Sequence, residues 1–253
     1  PHAFFLFRQT HQDHLRIATT NEQYNMRGDS LSSGVYVLGT NGATLDVVGK
    51  VENIAPGEKI YSARFLDNRG FLVTFRRIDP LFVMDLSEPT NPRIVGELKV
   101  PGYSDHIQLL DDNHLLTMGR DTVESGSFAW VQGVLLTIFD VTDPAHPQIL
   151  KVNGQDAREV IGGRGTYSEA NNNPKAFNFY RDRNALAFPI DLYDGHTTGP
   201  DYGSHSFTGL YVYRVTVEKG FEKLGQIASA DGLSSSNCFQ GYYGSTRGVF
   251  IGS

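Results

Sequence analysis

Leu81-Phe-Val-Met-Asp85-Leu-Ser87-Glu-Pro89-Thr-Asn-Pro92-Arg-Ile-Val-Gly-Glu-Leu98 returns in type as Leu136-Thr-Ile-Phe-Asp140-Val-Thr142-Asp-Pro144-Ala-His-Pro147-Gln-Ile-Leu150. In both, an apolar strand runs into an Asp whose carboxylate can take up the following backbone N–H groups. Two prolines then fix φ through the connection before a second apolar strand begins. Asp85, Pro89 and Pro92 superpose on Asp140, Pro144 and Pro147 at one constant offset, so the unit reads as a rigid hairpin used twice. Looser copies run from Val35 to Val51 around Asn41-Gly42 and from Leu210 to Ile227 around Lys219-Gly220.

A second kind of hairpin precedes each of these. It reads Ser62-Ala-Arg-Phe-Leu, a turn at Asp67-Asn68-Arg69-Gly70, then Phe71-Leu-Val-Thr-Phe75. It recurs from His106 to Met118 around Asp111-Asp112-Asn113-His114, and from Phe177 to Phe188 around Arg181-Asp182-Arg183-Asn184. Looser copies lie from Phe4 to Ala18 and from Phe239 to Ile251. Asp, Asn and Gly suit these turns because they bond to nearby backbone and tolerate positive φ.

Two alternating hairpins make a four-stranded antiparallel sheet that cannot bury its faces alone, so repeats must stack. The expectation is an all-β fold, a β-propeller of about four and a half blades near residues 2–56, 57–100, 101–152, 153–229 and, in part, 230–253. These form one domain over 1–253, with the ring incomplete and further blades expected beyond Ser253. A sandwich does not predict the fixed alternation of turn types, and no window carries a helical period.

The bulk composition narrows the function classes. Forty per cent apolar and 20% charged residues suffice for a packed core. A net charge of −6 without a cluster of Lys and Arg argues against nucleic acid; Arg76-Arg77 is an isolated pair. The single cysteine, Cys238, excludes an internal disulfide framework and a cysteine zinc site. No apolar run reaches the ~20 residues of a membrane span.

Several stretches resemble a known family, secreted bacterial and archaeal proteins with a C-terminal β-propeller domain distantly related to WD-type repeats. They are Ile54-Ala-Pro-Gly57, Ile60-Tyr-Ser-Ala-Arg-Phe65, Gly70-Phe-Leu-Val-Thr-Phe75, Ile78-Asp-Pro-Leu-Phe82, Leu98-Lys-Val-Pro-Gly102, Leu110-Asp-Asp-Asn-His-Leu115, Gly119-Arg-Asp121 and Gly165-Thr-Tyr-Ser-Glu-Ala170. The resemblance implies an extracellular, cell-surface or periplasmic location and supplies no reaction. Where the family tends to carry a His before Lys-Ala-Phe, this chain has Pro174 before Lys175-Ala176-Phe177.

In a propeller, ligands meet the loops and the residues leading into the innermost strands. Here these are Tyr61-Ser62-Ala63-Arg64, Tyr103-Ser104-Asp105-His106, Tyr167-Ser168-Glu169 and Ser236-Asn237. Ser62, Arg64, Ser104, Asp105, His106, Ser168 and Glu169 are therefore the candidate ligand-binding residues. The same polar groups can instead satisfy one another. Asp191, Asp194 and Asp201 lie in an insertion whose oxygen-rich composition would suit calcium, without the ligand spacing of a calcium hand. No other cofactor is expected. Ile161-Gly-Gly-Arg-Gly165 lacks a following helix that would make it a phosphate cradle, and Arg27-Gly28-Asp29 matches an adhesion tripeptide of low specificity. The leading expectation is a binding or scaffold module for a protein or glycan partner, or for further blades of the same protein. The alternative is an enzyme of hydrolase or lyase type using Arg64, Asp105, His106 and Glu169 as acid, base and anion clamp.

Overall fold

The computed structural model describes residues 2–11, 13–23, 30–75, 79–125, 128–195, 201–229 and 248. Nineteen strands are described, joined by turns and three single-turn 3₁₀ segments. The first sheet orders β1 (His2–His11), β2 (His14–Gln23), β3 (Ser30–Asn41) and β4 (Thr44–Ile54) side by side. The second does the same with β5 (Lys59–Leu66), β6 (Arg69–Phe75), β7 (Asp79–Asp85) and β8 (Arg93–Val100). The third holds β9 (Tyr103–Leu109), β10 (His114–Ser125), β11 (Phe128–Asp140) and β12 (Gln148–Ile149). A small hairpin, β13 (Lys151–Val152) and β14 (Gln155–Asp156), leads into β15 (Arg158–Ile161), which adds to β11. The fourth sheet is β16 (Asn178–Tyr180), β17 (Ala185–Asp194), β18 (Ser204–Thr216) and β19 (Gly220–Ala228).

This is the expected two-hairpin grammar, sheet by sheet. The turn residues behave as their chemistry requires: Asp13, Asp67 and Asn184 take positive φ (63°, 44° and 49°) at three of the tight turns of the second hairpin kind. The proline hairpins are equally explicit. Ser87 N–H donates to Asp85 Oδ1 at 2.9 Å, and Arg93 closes on Asp85 Oδ2 at 2.6 Å, holding that carboxyl below the usual carboxylate range. Asn91 N–H reaches Glu88 O at 2.9 Å and His146 N–H reaches Asp143 O at 3.1 Å, so Pro89 and Pro144 each occupy the second place of the same turn. The expected partial blade at 230–253, with Cys238, lies outside the described residues, apart from Gly248. Arg27-Gly28-Asp29 and Arg76-Arg77 also lie outside them.

The chain divides into two compact units, Pro1–Ile107 with Val141–Gln148, and Gln108–Asp140 with Ile149–Ser253. In the first, Ala18, Val35, Ile60, Phe65, Leu72, Met84 and Leu86 form a buried cluster between the first and second sheets. In the second, Leu116, Met118, Val134, Leu136 and Ile138 pack on Leu186, Phe188 and Tyr213. The rings of Phe188 and Tyr213 stack there at 6.0 Å. Middle strands such as Leu186–Ile190 are buried at every residue, because both faces of the sheet are covered. The outer strand β4 is instead exposed along most of its length. Removing water from each buried Leu, Ile or Phe contributes about 2 kcal/mol, which is what holds neighbouring sheets face to face.

Candidate functional site

In the first unit β5 and β9 touch through two neighbouring residues of each. Tyr61 meets Tyr103 edge to face at 5.1 Å, and Ser62 Oγ donates to Ser104 O at 2.8 Å. Two residues further on, the Arg64 charge acts on the His106 ring. The Tyr-Ser sequences at 61–62 and 103–104 thus form a short side-chain ladder between the first strands of adjacent sheets. The Lys59 ammonium lies 5.1 Å from the centroid of the Tyr61 ring, a cation–π contact at the start of the ladder.

The members of this ladder differ in what they can offer a ligand. Ser62 and Ser104 are buried, at 3% and 7% exposure, and the Ser62 hydroxyl proton goes to a backbone carbonyl. Asp105 and His106 are partly buried, whereas Arg64 is exposed. Burial, reinforced by the Arg64 charge, pushes the His106 imidazole down to about 4. Its ring is therefore neutral at pH 7 and offers hydrogen bonds rather than charge. Ser62→Ala is expected to cost about 1 kcal/mol, the ordinary worth of one buried hydrogen bond, measured by urea unfolding; an unchanged midpoint would show the Ser104 carbonyl satisfied without it.

In the second unit Ser168 is equally committed to structure. Its Oγ donates to Pro189 O at 2.6 Å and accepts from Ala170 N–H at 3.2 Å, capping the 3₁₀ turn Glu169–Asn171. Glu169 Oε1 accepts from Asn173 Nδ2 at 2.6 Å. Pro174 starts the next 3₁₀ turn, a place where a missing N–H costs nothing. Tyr167 pairs with Asp191 through both backbone groups, and the Arg120 guanidinium lies 5.7 Å from its ring centroid.

Two arrangements in the second unit escape sequence reasoning. The Thr208 hydroxyl donates to Asp191 Oδ1 at 2.6 Å and meets His205 Nε2 at 2.9 Å. A hydroxyl has one proton, so His205 Nε2 is the donor to Thr208 and the histidine tautomer is set from the carboxylate outward. The Arg164 guanidinium lies between Trp130, at 4.3 Å, and Tyr202, at 5.0 Å. The glycines flanking Arg164 were the available signal. A Cβ on Gly163 would lie 1.9 Å from Gly195 O, and Gly165 has φ 104°. Glycine is needed here for backbone approach, not for a phosphate. Asp194 closes against Gly203, whose Cβ would lie 2.2 Å from the Asp194 carbonyl, and Asp201 begins the described segment after residue 200. Among the described residues no three His, Cys, Asp or Glu side chains gather as metal ligands.

The profile of the family described as Beta propeller domain matches residues 5–253. An uncharacterised protein of Archaeoglobus fulgidus is 42% identical over 135 residues, and one of Methanocaldococcus jannaschii is 34% identical over 135 residues. Each alignment takes in 53% of this chain, but only 19% and 20% of the respective relatives. The chain thus spans about a fifth of the curated relatives it matches. Among solved structures, the acylaminoacyl peptidase of Pyrococcus horikoshii aligns with a TM-score of 0.48 at 11% identity, over 89% of this chain and 32% of that one.

Proposed function

The chain belongs to the Beta propeller domain family, and from that premise we propose that it is a binding and scaffold module acting outside the cytoplasm, with Arg64 and His106 receiving an acidic group of a protein or glycan partner. The observation that supports this most is the pairing of an exposed guanidinium with an imidazole held neutral down to about pH 4. A general acid or base works best with a pKa near the working pH, and His106 is far from it at pH 7. What remains is recognition: a planar fork of donors for a carboxylate, beside a neutral ring that can hydrogen-bond. The hydrolase or lyase reading would have to rest its proton transfer on Asp105 or Glu169 rather than on His106. The extracellular location rests on the family resemblance.

The test titrates two acidic probes, a tri-galacturonate and a hexaglutamate peptide, and one neutral probe, a galactose trimer. The readout is the His106 ring resonances. At least one acidic probe is expected to shift them saturably and the neutral one not at all. Arg64→Ala is expected to weaken that binding about tenfold without moving Tm, since the side chain is exposed. Raised salt should weaken it as well. Unmoved resonances with both acidic probes, or full affinity in the Arg64 variant, would overturn the proposal.

A further inference from the structure

Three outer strands carry a glycine at one register position. Val37 pairs with Gly49, Val83 with Gly96 and Val212 with Gly225. In each case the next rung skips one residue, so Val48, Val95 and Leu224 bulge just before the glycine. In the first unit both such glycines are occupied sockets. A Cβ on Gly49 would lie 2.2 Å from Pro89 O and 2.7 Å from Pro92 Cδ. A Cβ on Gly96 would lie 2.1 Å from Pro144 O and 2.9 Å from Pro147 Cδ. The Pro-x-x-Pro turn of one sheet thus seats on the bulged glycine of the sheet before it, and Gly49, Gly96, Pro92 and Pro147 are all buried.

In the second unit no described residue fills the same socket. A Cβ on Gly225 meets no described atom within 4 Å, and the glycine itself is only half-buried. Ile227 is 62% exposed, where its counterparts Val51 and Leu98 are half-buried. The correlation also runs in the negative. The β18–β19 turn lacks proline, and its Gly220 lies against Val152 and Ala157 of the same unit, where residues 148–152 offer no glycine. In the first unit each socket holds a proline turn, and in the second the proline-free β18–β19 turn lies against a segment without glycine.

The geometry points to Leu224–Gly225 as a docking site for a Pro-x-x-Pro turn of the Asp-x-Ser/Thr kind, carried by a further four-stranded blade. The chain's two such turns are already seated at Gly49 and Gly96, which excludes them in a second copy. Residues 226–253 contain no proline, and the β3–β4 turn around Asn41-Gly42 has none either.

The test uses the 253-residue chain and a backbone-cyclised hairpin peptide of residues 81–98, followed through the Gly225, Leu224 and Ile227 amide resonances. These are expected to shift saturably, with about tenfold weaker binding when the peptide carries Pro89→Ala and Pro92→Ala, and no response in the Gly225→Leu chain. Gly225→Ala, a smaller change, should show partial loss if Gly225→Leu perturbs the strand. Resonances that stay unmoved at about 1 mM peptide, the affinity floor for a specific turn contact, would overturn the inference. So would an equal response to the proline-free hairpin.

Discussion

Gly96→Ala is expected to destabilise the chain by about 3 kcal/mol, and Gly49→Ala by a similar amount, whereas Gly225→Ala should be neutral or stabilising by about 0.5 kcal/mol. All three glycines share one register position on an outer strand, so backbone preference alone predicts the same small gain for each, because glycine is a poor strand residue. The difference is what covers them. The atoms in the way at Gly96 are the carbonyl of Pro144 and the ring of Pro147, which belong to a turn whose φ angles are fixed and cannot swing aside like a flexible side chain. The added methyl must therefore push the proline turn off the strand, exposing Pro147. Losses from overpacking are commonly 1–3 kcal/mol, and the rigidity of this contact puts the expectation at the upper end. Urea unfolding of the three variants measures it. Wild-type stability for Gly96→Ala would show that the turn does not seat there, and a loss at Gly225 equal to that at Gly96 would show that the Gly225 socket is filled.

Those glycines mark where the sequence stops being legible. The strands, the alternation of two hairpin kinds and the placing of Asp67, Asp85 and Asn184 at turns could be read directly, because each turn is a local device with its own chemistry. The partner of a proline turn could not be read, because Gly96 and Pro144 are joined by packing across sheets rather than by spacing. The same limit applies to the site. The Tyr-Ser repeat is visible at 61–62, 103–104 and 167–168, but its two serines with known hydroxyl partners serve different acceptors: Ser62 bonds to the next strand of the ladder, and Ser168 to Pro189 and the turn it caps. Arg16 shows what alternation hides. It is a charged residue at 2% exposure, with Nη1 on Asp67 O and Nη2 on Leu86 O, tying β2 to both turns of the following sheet. Nothing in its own neighbourhood announces that its guanidinium will be met by two carbonyls 51 and 70 residues away.

Lowering the pH from 7.5 to 4 is expected to remove about 3 kcal/mol of stability through His106 alone. The unfolded chain takes up a proton at this histidine near 6.5, while the native ring stays neutral until about 4. Between those values the unfolded state binds more protons, so stability falls as the pH falls, and the contribution is complete above 6.5. Other groups pull in both directions. Asp85 and Asp143 are held below their usual range by hydrogen bonds and ion pairs, so they cost stability only at lower pH. Burial holds Glu159 above its range, so acid favours the native state there. The His106 share is therefore isolated as the difference between the wild type and His106→Gln, which keeps a polar group but does not titrate. Urea unfolding at pH 7.5, 6, 5 and 4 should show that difference shifting by about 3 kcal/mol in favour of the variant as the pH falls. Parallel curves, or a His106 ring proton titrating near 6.5 in the native protein, would show that the imidazole beside Arg64 is not held neutral through mild acid. The recognition chemistry proposed for that pair would fall with it.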